Sequence, residues 1–108
     1  MEAEPLSVAK RWYALYTRSR HEKAVHAWLT ERDVEAFLPL HDVLSRWKDR
    51  RKWVSKPLFP GYLFVRLPRS ELWLARAARG VVHVLGDGNG PTPVPDEQVE
   101  AVREMVSR

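Results

Sequence analysis

The side chains able to do acid–base or covalent chemistry are few and badly spaced for it. His21, His26, His41 and His83 are scattered along the chain, and the first two stand five apart, where ligands on one helix face stand three or four apart. Glu31, Asp33 and Glu35 fall at a predicted turn, where carboxylates are commonly solvated rather than used for proton transfer. Gly86-Asp87-Gly88-Asn89-Gly90 has the glycines of a phosphate loop. It lacks a following Lys-Ser/Thr, however, and runs into Pro91 and Pro93 instead of a helix. With no cysteine in the chain, thiolate catalysis and disulfides are excluded. We read the chain as a binding module, not an enzyme, with no metal and no cofactor.

The chemistry that remains is stacking and anion attraction. Eighteen basic residues against 14 acidic ones give a net charge of +4, which by itself decides little. Their placement says more: basic residues concentrate in Lys10 to Lys23 and Arg46 to Lys56, whereas Asp96, Glu97, Glu100 and Glu104 make the last stretch acidic. One basic face is predicted. The run Arg46, Lys48, Arg50, Arg51 and Lys52 is interleaved with Trp47 and Trp53, a pattern suited to phosphate attraction with indole stacking.

These residues need elements to hold them. Arg11 to Thr17 reads as an aromatic strand, and Ser19 to Glu22 has capping-box spacing for a helix running to about Glu31, with Ala24, Val25, Trp28 and Leu29 as its apolar stripe. Val34 to Leu38 reads as a strand stopped by Pro39, and His41 to Trp47 with Arg51 to Lys56 as a hairpin. Tyr62 to Leu67 is a strand, Ser70 to Ala78 a helix and Val81 to Leu85 a strand. Gly86 to Pro95 is a loop, and Asp96 caps a last helix that turns Val99, Val102, Met105 and Val106 inward. The order predicts an α+β fold: a two-layer sandwich, its sheet of four or more strands mostly antiparallel, with helices mainly on one face and a basic β-hairpin beside it. Trp12 to Tyr16 and Tyr62 to Val65 are apolar on both sides. A sheet face open to water would alternate with polar residues, so either a partner covers the second face or the last helix or hairpin folds over it.

Three ordered motifs carry a family resemblance. Arg11-Trp12-Tyr13-Ala14-Leu15-Tyr16, then Pro57-Leu58-Phe59-Pro60-Gly61-Tyr62-Leu63-Phe64-Val65, then Arg79-Gly80-Val81-Val82 followed by Pro91-Thr92-Pro93-Val94-Pro95 resemble the N-terminal domain of NusG-type transcription factors. The wording of the middle motif and of Leu15-Tyr16-Thr17-Arg18 looks closer to specialised antiterminators of the RfaH and Upx type. The resemblance implies docking on the clamp helices of the largest subunit of bacterial RNA polymerase, with suppression of pausing. It carries over Tyr16, Tyr62 and Phe64 as the apolar contact, with Phe59, Trp12 and Leu85 as lining.

In RfaH-like relatives the turn after the first strand touches non-template DNA, which implies nucleic-acid contacts for Arg18, Arg20, His21 and Lys23. The hairpin residues Arg50, Arg51 and Lys52 would lie along upstream DNA. Where those relatives place His-Thr-Thr for a further polymerase contact, this chain has Glu71-Leu72-Trp73, so that contact does not carry over. The expected organisation is a tail over 1–9 and the polymerase-binding domain over 10–106, without the KOW barrel that follows in the family. The chain is expected to act as a cytoplasmic monomer with no membrane association. The alternative is an RRM-like single-stranded RNA-binding module, since Gly61 to Leu67 resembles the RNP1 pattern and an aromatic first strand would supply the second stacking element.

Overall fold

A computed structural model describes residues 8–107; most of the expected tail, residues 1–7, lies outside them. Strand β1, Lys10–Thr17, sits in the middle of the main sheet. Its pleat sends Tyr13, Leu15 and Thr17 one way and Trp12, Ala14 and Tyr16 the other. Both sets are largely withdrawn from solvent, as the doubly apolar sequence requires.

Helix α1, Glu22–Thr30, begins differently from the expected capping box. Ser19 lies outside the helix, His21 occupies the N-cap without a side-chain cap, and Arg20 takes φ 67° to turn the chain out of the strand. The inward stripe is Glu22, Val25 and Leu29, at i, i+3, i+7 spacing. Ala24 is exposed rather than inward, because Glu22 takes the inward place in the first turn. Trp28 is half-buried beneath the Arg32 guanidinium, 3.7 Å from its ring.

Strand β2, Glu35–Phe37, follows. Strands β3, Leu40–Trp47, and β4, Arg50–Pro57, form a separate two-stranded ribbon joined through Lys48 and Asp49. Strand β5, Tyr62–Pro68, a 3₁₀ turn at Arg69–Glu71, helix α2, Leu72–Ala77, and strand β6, Val81–Val84, complete the main body. The sheet runs β2-β5-β1-β6 with every pairing antiparallel. Without the ribbon this is a βαββαβ arrangement, so the α+β sandwich with an antiparallel four-stranded sheet stands.

The core lies between the sheet and helices α1 and α2. Tyr13, Leu15, Leu63, Val65 and Leu67 meet Val25, Leu29, Leu72, Ala75 and Ala78 there. Gly86 to Pro95 is more ordered than a plain loop. Strands β7, Gly86–Asp87, and β8, Gly90–Pro91, pair as a small hairpin, clamped where Arg69 Nη1 donates to the Pro91 carbonyl at 3.1 Å. Helix α3, Asp96–Val106, starts after Pro95, so Asp96 is its first residue and not its cap. Val99 is fully buried and Val102 and Val106 half-buried, but Met105 is 60% exposed, against the inward expectation. Val99, Val102 and Val106 follow i, i+3, i+7 spacing on one face, and the helical period turns Met105 away from it. Among the described residues no helix is long and apolar enough to cross a membrane.

Candidate functional site

The second face of the sheet, opposite α1 and α2, is where the aromatic residues gather. The antiparallel register sets Tyr16 across from Tyr62, Ala14 across from Phe64, Phe37 across from Phe64, and His83 across from Tyr16. Side chains directly opposite stand close enough to touch. The Tyr16 and Tyr62 rings lie 5.2 Å apart and tilted, Tyr16 and His83 5.4 Å, and Phe37 stacks on Phe64 at 6.1 Å. A strip of rings thus crosses all four strands.

Part of the strip is covered by the last helix, one of the covers the sequence allowed, and part is open. At one end, α3 contacts β1, and its Arg103 guanidinium lies 4.5 Å from the Phe37 ring and 5.9 Å from the Trp12 ring. Val94 donates its N–H to the Trp12 carbonyl at 2.8 Å. Trp12 is therefore only 3% exposed. Expected from its motif to line the contact surface, it is instead packing that supports the face, because an indole beneath a helix has no free surface to offer. At the other end an open groove of about 470 Å³ is lined by Ala14, Leu58, Phe59, Pro60, Tyr62 and Phe64. Phe59 is 39% and Tyr62 37% exposed, while Tyr16 and Phe64 are half-buried. Leu85 is half-buried next to Ala14, to whose carbonyl its N–H donates at 2.9 Å.

The Pro60-Gly61 pair shapes this end. Gly61 has φ 87°, a conformation that glycine takes without a side-chain penalty. A Cβ there would meet the Tyr16 ring at 3.1 Å. Its N–H donates to Glu22 Oε2 at 2.8 Å, and its carbonyl accepts from the Thr17 N–H at 2.8 Å. Sequence reasoning alone misses Glu22, Ala14, Leu58 and Pro60. Strand alternation could have supplied Ala14; nothing local announces that a helix-start carboxylate will reach 39 residues along the chain.

The basic residues divide into three groups. Arg18 and Arg20 are exposed on the turn after β1. His21 and Lys23 have structural partners that the sequence did not predict. His21 Nδ1 lies 3.0 Å from the Ser19 carbonyl, and its ring packs so tightly on Gly80 that a Cβ there would come within 2.8 Å of the His21 side chain. Lys23 Nζ donates to the Ser55 carbonyl at 2.7 Å, tying α1 to the ribbon. Between turn and ribbon lies a groove whose lining includes Arg20, Glu22, Lys23, His41 and Lys56.

Arg50, Arg51 and Lys52 are exposed in the ribbon but do not share one face. Pairing puts Arg50 with Trp47 and Lys52 with Ser45 on one side, and Arg51 with Arg46 and Trp53 with Leu44 on the other. Trp47 is 69% and Trp53 66% exposed. Like charges directly opposite are unfavourable in a free ribbon, so the Arg46–Arg51 pair suits an anionic neighbour.

Residues 10–103 match the family model described as transcription termination factor nusG. Similar proteins named transcription termination/antitermination protein NusG include one from Staphylococcus carnosus, 31% identical over 112 residues covering 90% of this chain and 62% of that protein. Those of Thermus thermophilus and Pseudomonas aeruginosa are 27% and 26% identical, covering 87% and 93% of this chain and 60% and 63% of theirs. The chain thus spans about three-fifths of the length of these relatives. A solved structure described as "Domain interaction in Thermotoga maritima NusG" superposes with a TM-score of 0.60 at 23% identity, over 86% of this chain and 55% of that one. At that identity the likeness bears on the fold alone.

Proposed function

This chain belongs to the NusG family, and on that premise we propose that its aromatic face docks on the clamp helices of the largest subunit of bacterial RNA polymerase. By bridging the cleft it holds the elongating enzyme closed against pausing, as a cytoplasmic factor that catalyses nothing itself. The observation that carries this reading is the open apolar groove of Ala14, Leu58, Phe59, Pro60, Tyr62 and Phe64, on a sheet face that α3 leaves partly uncovered. Withdrawing two or three rings of about 150–250 Å² each from water supplies roughly several kcal/mol after ordering losses, enough for a specific and reversible interface.

Nucleic acid is the second partner in the proposal. Arg18 and Arg20 face non-template DNA from the turn, and the ribbon's Arg50, Arg51 and Lys52 lie along upstream DNA. The exposed indoles and the Arg46–Arg51 pair support that role. The finer placement with RfaH and Upx antiterminators rests on motif wording; the relatives found are general NusG proteins, and the proposal is for the general docking role.

The RRM-like alternative expects the same βαββαβ sheet, so topology does not separate the two readings; family membership favours polymerase. Capture on a clamp-helix fragment, run beside single-stranded RNA binding, tests the choice. The parent is expected to bind the fragment, and Tyr62→Ala and Phe64→Ala to weaken it with the fold retained. RNA stacking without fragment binding would overturn the proposal.

A further inference from the structure

The first turn of α1 holds a buried carboxylate that neither proposed surface uses directly. Glu22 is 5% exposed, and its Oε2 accepts the Gly61 N–H at 2.8 Å, a bond joining helix start to loop across 39 positions of sequence. We infer that Glu22 is the positioning residue of the aromatic face: its carboxylate holds the Leu58 to Gly61 loop against the sheet, and with it Phe59 and Tyr62. The inference rests on the docking role proposed for that face.

The bonds around Gly61 form a chain of dependence. Glu22 fixes the Gly61 N–H, and the Gly61 carbonyl accepts from Thr17 at the end of β1. The Tyr16 ring then lies close enough to Gly61 that no Cβ would fit without displacement. Tyr62, the next residue, packs on Tyr16 at 5.2 Å and donates its N–H to the Phe59 carbonyl at 3.0 Å. Phe59 and Tyr62 both line the open groove, and both are more than a third exposed. Exposed rings cannot be held by burial, so their position depends on the backbone beneath them. Beside the main-chain bonds of Gly61 with Thr17 and of Leu58 with Pro39, the Glu22 side chain anchors that backbone from below. Its removal would leave the Gly61 N–H buried without an acceptor, and the loop would open to hydrate it.

A carboxylate in the first turn also complements the positive end of the helix, which a merely structural role would require and a positioning role would not. Two conservative variants separate these functions. Glu22→Gln keeps an acceptor at the same reach and removes the charge, while Glu22→Asp keeps the charge and withdraws the acceptor by one methylene. Amide hydrogen exchange at Gly61 and titration with the clamp-helix fragment are measured for the parent, both variants and Glu22→Ala.

Gly61 protection and fragment affinity are expected to stay within about twofold of the parent in Glu22→Gln. Both should fall roughly tenfold in Glu22→Asp and Glu22→Ala, the scale of a missing buried hydrogen bond. Parent-like Gly61 protection in Glu22→Asp, or loss in Glu22→Gln with retention in Glu22→Asp, overturns the inference. If the parent itself does not bind the fragment, the docking role fails, and the exchange arm still decides whether Glu22 holds the loop.

Discussion

The aromatic face and the basic ribbon carry similar residues on similar strands and are built in opposite ways. Behind the face, Leu15, Leu63 and Val65 are fully buried, and β1 and β5 each have hydrogen-bonded neighbours on both sides. Among the described residues the ribbon has two strands and no third. Its rings, Trp47 and Trp53, are the most exposed of the large apolar residues among those described. The Lys23 bond to the Ser55 carbonyl ties the ribbon to α1. An isolated two-stranded hairpin is marginal in water. The difference teaches that a ring on a strand is a fixed contact only when a core stands behind it; without one it can adjust to its partner. A preformed face suits a defined protein surface, and an adaptable ribbon suits a phosphate backbone of variable path.

The contrast is broken most directly from the core side. Leu63→Ala, behind the face, should cost about 2–5 kcal/mol of unfolding free energy, whereas Trp53→Ala in the ribbon should stay within about 0.5 kcal/mol. Chemical denaturation of the two variants measures this; equal losses would mean that the ribbon is part of the cooperative core.

A smaller effect is expected at Gly80, which links the basic turn to the body. Its φ of 106° and the His21 side chain packed on it make Gly80→Ala strained on two counts, next to a carbonyl that accepts from the Arg18 N–H at 2.8 Å. A loss of roughly 1–3 kcal/mol is expected in thermal unfolding, and displaced backbone amide resonances at Arg18 and His21 should accompany it. A neutral substitution would show that the turn tolerates movement.

The subtlest test concerns salt. Arg50→Ala with Arg51→Ala should flatten the salt dependence of double-stranded DNA binding by roughly 0.9 for each phosphate that is no longer neutralised, leaving clamp-helix affinity unchanged. Titration at several ionic strengths decides it; an unchanged slope removes the ribbon from the nucleic-acid interface.

Much of this architecture was legible in the chain. The doubly apolar run at Tyr62 to Val65 marked its strand, and the polar Lys48-Asp49-Arg50 between flanking strands marked the ribbon, whose second strand begins one residue earlier than read, at Arg50. Tyr16, Tyr62 and Phe64 come together on one face as the motifs implied. Errors fell where a residue's nearest partner is remote in sequence. Ser19 has capping spacing, yet the left-handed turn at Arg20 places it outside the helix. Trp12 belongs to an aromatic strand, but α3, more than 80 residues later, closes over that end. The Lys23 bond to the Ser55 carbonyl on the ribbon spans 32 positions and has no local mark in the sequence.

From amino-acid order alone come the kinds of element, the side of each strand on which a residue lies and the segregation of charge, because pleat, helical period and turn chemistry act over a few residues. The path of the chain in space decides which of the two apolar faces stays open. That depends on where α3 lands and on a carboxylate reaching Gly61, and the free energy of covering a surface is set by what arrives there, not by the residues that form it.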